Sequence, residues 1–129
     1  METSDAVAAL AALAQDNRLD IFRLLVQAGP DGLAAGRVAE ALELAPNTLT
    51  FHFDRLRVAG LVTVRRDGRS MIYAARYETM NGLLAFLTDN CCQGMPEACA
   101  PVQCKPAKPA KPNTTILAGL LTSAPHQDN

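Results

Sequence analysis

The sequence predicts a mainly α-helical fold with a small β-wing, a winged helix-turn-helix, and three observations carry that prediction. The first is the stretch Asn47–Leu61, NTLTFHFDRLRVAGL, where Leu49, Phe53 and Leu56 recur at helical spacing as one apolar face. The second lies just before it. A short helical pattern ends at Ala45-Pro46, and two helices joined by so short a link make a helix-turn-helix. The third lies just after it. Leu61-Val-Thr-Val-Arg-Arg and Arg69-Ser-Met-Ile-Tyr-Ala-Ala are β-rich runs separated by Asp67-Gly68, a hairpin turn signal.

The remaining elements follow in order. Thr3 or Ser4 caps a first helix, Asp5 favours its N-terminus, and Val7, Leu10, Leu13 and Ala14 form its apolar stripe. Asp16 or Asn17 opens a second helix with Leu19, Ile21, Phe22, Leu25 and Val26 inward, and Gly29-Pro30-Asp31-Gly32 is a loop. A third helix spans about Ala34 to Leu44, with Val38, Ala41 and Leu42 inward. Pro46 suits the first turn of the fourth helix, where its missing N–H costs nothing, and Gly60 stops that helix. After the wing, Tyr77 to about Cys92 reads as a last helix. Met80, Leu84, Leu87 and Cys91 follow spacings of four, three and four, a heptad-like seam widened by Leu83. Gly94 and Pro96 end it. From Pro101 to Pro112 a proline every few residues favours extended polyproline II, kept solvated by Lys105, Lys108 and Lys111. Ile116-Leu117 and Leu120-Leu121 then form one short apolar stripe.

The fourth helix carries the chemistry. Opposite its apolar face lie Asn47, Phe51 and Asp54, flanked by Thr48, Thr50, His52, Arg55 and Arg57. A surface helix rarely sets a Phe opposite its core stripe. Asn, Thr and Arg reach base edges in the major groove, and an aromatic ring can touch a thymine methyl. An ordinary solvated amphipathic helix is the competing reading of the helix alone. The wing favours DNA. From Pro46 to Arg76 there are six arginines against Asp54 and Asp67, in a chain whose net charge is −1. Such a local basic excess is what phosphate contact requires. Thr48, Thr50, Phe51 and His52 are therefore expected to face bases, with Arg55 reaching bases or phosphate, and Arg65, Arg66 and Arg69 holding phosphates.

Five stretches together give the chain a family resemblance. They are Leu13-Ala-Gln-Asp-Asn-Arg-Leu-Asp-Ile-Phe-Arg-Leu-Leu, Val38-Ala-Glu-Ala-Leu, Asn47-Thr-Leu-Thr-Phe-His-Phe, Leu56-Arg-Val-Ala-Gly-Leu-Val and Arg66-Asp-Gly-Arg. As a set they resemble the ArsR/SmtB family of dimeric, metal- and metalloid-responsive repressors, over roughly residues 7 to 92. The resemblance implies a homodimer whose first and last helices build the interface, and double-stranded operator DNA as partner. It divides the chain into a DNA-binding and dimerisation domain, 1–92, and a Cys-containing, Pro/Lys-rich tail, 93–129.

Composition agrees with one domain of modest core, in 129 residues. Burying apolar surface in a dimer would help a core of that size. No run of about 18 apolar residues suggests a membrane span. Met-Glu-Thr-Ser-Asp lacks the basic region and cleavage site of a signal peptide, so a cytoplasmic setting with reduced thiols is expected. There is no nucleotide-binding glycine loop, no Ser-His-Asp pattern and no acid pair, so no enzyme is expected.

Four cysteines crowd into Cys91–Cys104, which suggests a metal or redox site more than a disulfide framework. Cys99 can fold back over the adjacent Cys91 and Cys92, and three thiolates suit a soft ion. Trivalent arsenic or antimony, As(III) or Sb(III), fits best. Zinc competes, but it favours four ligands at Cys-x-x-Cys-like spacing, which is absent. A site using all four cysteines, a redox-sensitive Cys91–Cys92 pair, and unliganded thiols stay open. Measured against the family, Gly32-Leu-Ala-Ala-Gly-Arg37 carries no thiol where arsenic-responsive members often have Cys-x-Cys. Only Asp89 stands where zinc-type members pair Asp and His. The C-terminal triad resembles one of the family's arsenite-sensing variants: Cys91, Cys92 and Cys99 match, and Cys104 is surplus. The chain thus reads as a homodimeric repressor released from DNA by As(III) or Sb(III). A redox- or other-metal-responsive repressor is the alternative within the class, and a winged-helix protein-interaction module with a metal-binding tail the alternative outside it.

Overall fold

In a computed structural model that describes residues 1–95, five helices pack around a three-stranded antiparallel sheet. The helices are α1 (Thr3–Leu13), α2 (Asp16–Ala28), α3 (Ala35–Leu42), α4 (Pro46–Val58) and α5 (Tyr77–Leu87). The strands are β1 (Leu33–Ala34), β2 (Val62–Asp67) and β3 (Ser70–Ala75), in the order β1-β3-β2. The winged helix-turn-helix fold expected from the sequence is the fold observed. The polyproline stretch, the apolar stripe at 116–121, Cys99 and Cys104 lie outside the described residues.

The core is the junction of α2, α3 and α4 with the base of the wing. Ile21, Leu25, Val38, Phe53, Leu56, Leu61 and Val62 are its fully buried large side chains. The Phe53 ring stacks on Tyr73 of β3, centroids 3.6 Å apart and planes 1° from parallel, which locks α4 to the sheet. Tyr77 at the head of α5 donates its hydroxyl to the Val26 carbonyl at 2.7 Å, fastening α5 to the end of α2.

α1 differs from expectation. Ala6, Ala9 and Ala12 are buried, Leu13 is half-buried, and Val7, Leu10 and Ala14 are exposed. Three alanines at helical spacing let the backbone of α1 approach α2 and α4 closely, whereas Val7 and Leu10 would hold it away. The cap also shifts by one: the Glu2 N–H donates to the Asp5 carboxylate at 3.2 Å. In α2, Leu19, expected inward, is exposed, and Leu24, which the sequence reading did not place, is buried. Gln15 caps this helix, its side-chain oxygen accepting from the Arg18 N–H at 2.9 Å.

α3 is shorter than expected at both ends. Ala34, expected as its first residue, instead pairs with Ile72 of β3, and Leu33 before it pairs with Tyr73. Gly32 makes that pairing feasible. Its φ is +74°, and a Cβ there would collide with the Tyr73 carbonyl oxygen. Glu43, at φ +55°, turns the chain toward α4. At the end of α4 the Leu61 N–H donates to Leu56 O and the Gly60 N–H to Arg57 O, both at 2.9 Å. With Gly60 at φ +79° this is a Schellman cap, so the glycine stop is confirmed in its mechanism.

β2 and β3 pair from Val62↔Ala75 to Asp67↔Ser70, leaving Gly68 and Arg69 as a two-residue loop. The sequence places Arg69 at the start of the second strand; the structure puts it at the tip itself. α5 ends at Leu87 instead of near Cys92. The Thr88 hydroxyl donates to Leu84 O at 2.8 Å, meeting one terminal carbonyl. Asn90 then takes the left-handed conformation at φ 56°, which breaks the helix before the irregular turn Cys91–Gly94. Cys91 therefore does not continue the Met80–Leu84–Leu87 stripe.

Candidate nucleic-acid interface

α3, the Glu43–Ala45 turn and α4 present α4 with its outer face open. Leu49, Phe53 and Leu56 are buried as the spacing predicts. Asn47, Thr48, Thr50, Phe51, Asp54, Arg55 and Arg57 are exposed, Phe51 at 51%. The Arg55 guanidinium lies 5.1 Å from the Phe51 ring centroid, a cation–π contact that holds both over the same patch. Thr50 Oγ1 donates to Pro46 O at 3.0 Å, which fixes its rotamer and leaves the oxygen able to accept. Arg57 and Asp54 form an exposed pair at 3.7 Å, a geometry worth little to stability.

His52 is the correction. The sequence sets it on the outer face; the structure buries it to 6% exposure. The cause is angular. At about 100° per residue His52 sits about 60° from Leu49, on the same side as Leu56, and so at the border of the buried arc. Its Nδ1 meets an Arg18 guanidinium nitrogen at 3.3 Å. Burial, and then the Arg18 charge, push the imidazole below its usual pKa. A side chain so placed does not reach bases. Arg18 is the residue that sequence reasoning passed over: its partner lies 34 positions away, so no local pattern announces it.

On the wing Arg65, Arg66 and Arg69 are all exposed. Side chains alternate along β2, so Val62, Val64 and Arg66 share one face while Thr63, Arg65 and Asp67 share the other. Arg65 and Arg66 thus reach out on opposite sides of the ribbon. Arg66 Nε donates to Gly68 O at 3.3 Å and braces the tip from which Arg69 projects. Beyond α5, Cys91 is half-buried and Cys92 exposed, on adjacent residues of one turn. Among the described residues no cluster of three His, Cys, Asp or Glu side chains is arranged to hold a metal ion, and no helix is long and apolar enough to cross a membrane.

A helix-turn-helix with a polar, cationic outer face, followed by an arginine-tipped wing, defines a winged-helix DNA-binding regulator. Comparison with known proteins agrees. Residues 13–65 match the family model described as a helix-turn-helix domain. The chain is 36% identical to YceK of Bacillus subtilis, an uncharacterised HTH-type transcriptional regulator, over 57% of this chain and 72% of that one. The structure of HlyU from Vibrio cholerae, a protein named as a transcriptional activator, is 33% identical with a TM-score of 0.55; the match covers 67% of this chain and 97% of that one. An ArsR-like transcriptional regulator from Rhodococcus is 25% identical with a TM-score of 0.57, covering 65% and 76%. The chain belongs to the ArsR/SmtB family of winged-helix transcriptional regulators, and is a regulator rather than an enzyme.

Proposed function

We propose that the protein is a cytoplasmic homodimeric repressor that binds an inverted-repeat operator and leaves it when As(III) or Sb(III) joins Cys91, Cys92 and Cys99. The observation that carries the DNA part is the exposed outer face of α4. Asn47, Thr48, Thr50 and Phe51 face base edges, Arg55 reaches bases or phosphate, and Arg65, Arg66 and Arg69 meet phosphates. Because phosphate contacts position without reading sequence, Arg69→Ala is expected to weaken binding to every duplex alike. It should also flatten the slope of log affinity against log salt by about one. Fluorescence anisotropy at several salt concentrations measures both. An unchanged slope would remove Arg69 from the interface.

The dimer reading rests on four exposed apolar side chains, Val7 and Leu10 on α1, and Leu84 and Leu87 on α5. Leu84 also borders an apolar groove with Leu19 and Met80, which extends the surface a second copy would cover. Residues 1–92 then serve as the DNA-binding and dimerisation domain, and 93–129 as the tail that supplies the remaining thiols.

The sensor reading is supported by the donor set. Two thiols on adjacent residues at the surface suit a soft ion, and the third ligand is Cys99. Thr88–Asn90 separates Cys91 from α5, so a ligand there acts on the exit of the helix, with no continuous stripe to transmit it. Release requires tighter metalloid binding to the DNA-free form, and operator DNA must weaken arsenite binding by the same factor, typically about 5–150-fold. Titrating arsenite into protein bound to labelled operator, under reducing conditions, tests the site. Single Ser replacements at Cys91, Cys92 or Cys99 should keep DNA binding and lose release, while Cys104→Ser should respond nearly as wild type. Release of Cys99→Ser at wild-type arsenite concentrations would discard the three-thiolate sensor. Release by oxidant alone would replace it with a Cys91–Cys92 redox switch.

A further inference from the structure

Arg18 occupies the first turn of α2 and reaches two other helices. Its Nε donates to the Ala12 carbonyl near the end of α1 at 2.6 Å, and a terminal nitrogen meets His52 Nδ1 on α4 at 3.3 Å. A guanidinium has donors only, so Nδ1 accepts and the ring proton resides on Nε2. The His52 ring also meets Phe51 edge-on, centroids 5.5 Å apart at 62°, and Phe51 carries Arg55. A polar chain thus runs from the backbone of α1 to the base-facing aromatic of α4.

α4 otherwise sits on Leu49, Phe53 and Leu56. Apolar burial is non-directional; it resists separation of the helices but is lenient toward small rotations. A rotation of about 20° moves an atom at the helix's outer radius, about 5–6 Å, by about 2 Å, enough to lose a base hydrogen bond. The Phe53–Tyr73 stack resists such a rotation on one flank of the buried arc, and the Arg18–His52 hydrogen bond, of fixed geometry, opposes it on the other.

We propose that Arg18 is a positioning residue for DNA reading: by joining Ala12 to His52 it sets the rotation of α4 about its own axis, and so the register in which Asn47, Thr48, Thr50 and Phe51 meet the groove. This rests on the DNA-binding reading above. It separates Arg18 from the wing arginines, because Arg18 touches no DNA and governs discrimination without supplying affinity for phosphate.

The experiment uses the full chain, a duplex selected from a random library by the wild-type protein, and a scrambled duplex of the same composition. Arg18→Met and His52→Leu should each lower affinity for the selected duplex by about tenfold or more, the scale of a lost base contact. Affinity for the scrambled duplex should stay within about twofold, since the phosphate contacts are untouched. The double variant should lose no more than either single one, because both break one link. His52→Asn, which restores an acceptor near Nδ1, should recover discrimination. Arg18→Lys keeps the charge and the stem but lacks the two-armed fork, so it should discriminate as poorly as Arg18→Met while circular dichroism shows an intact fold. Equal losses on both duplexes, additive losses in the double variant, or full discrimination by Arg18→Lys would each overturn the assignment. A wild-type protein that selects no duplex would instead sink the DNA reading itself, and this inference with it.

Discussion

Phe53→Ala is expected to cost the domain about 3–5 kcal/mol, the range for emptying a buried aromatic site. Phe53 is 1% exposed and its ring lies flat on Tyr73, so truncation removes the contact between α4 and β3 together with a core side chain. Small domains hold only about 5–15 kcal/mol in total, so a large share of the folded margin would go. Urea unfolding followed by circular dichroism should show a lower midpoint with an unchanged slope. Phe51→Ala is the built-in contrast: the same residue type two positions away, half exposed, with little stability at stake and its effect confined to operator affinity. If Phe53→Ala unfolded within about 1 kcal/mol of wild type, the Phe53–Tyr73 junction would not be the anchor of α4.

Leu87→Glu is expected to turn the protein into a folded monomer that binds its operator about 10²–10⁴-fold more weakly. Two half-site contacts held in one molecule reinforce each other by that order, and separate subunits lose it. A carboxylate forced into an apolar contact without a partner is costly, so dissociation is the cheaper outcome. Leu87 suits the test because it is 56% exposed in the single chain, so the substitution spares the core. Val7→Glu on α1 should behave alike, since both lie on the proposed two-fold surface. Sedimentation velocity distinguishes monomer from dimer, and anisotropy on the operator reads the affinity. A Leu87→Glu protein that stays dimeric with full operator affinity would exclude α5 from the interface.

The legible parts of the interface were those set by one helix or one hairpin. The outer position of Phe51, the inner positions of Leu49, Phe53 and Leu56, and the glycine stop at Gly60 all follow from a 3.6-residue period and a local φ requirement. The exposed arginines of the wing follow from two β-rich runs split at Asp67-Gly68. His52 was misplaced because a residue at the border of a helical arc is assigned by its neighbours. The neighbour that claimed it, Arg18, comes from another helix.

The amino-acid sequence by itself determined the order of the five helices and the two wing strands, the turn between α3 and α4, the basic outer face and the crowding of four thiols after α5. Each is written in spacings of a few residues, where backbone geometry leaves few alternatives. Only the tertiary structure decided which face of α1 turns inward, that Leu33 and Ala34 join the sheet, that α5 stops at Leu87, and that Arg18 ties α1 to α4. Those outcomes depend on how closely two backbones approach and which distant group lies within hydrogen-bond reach. A side chain's size and polarity leave both open until the other elements are in place.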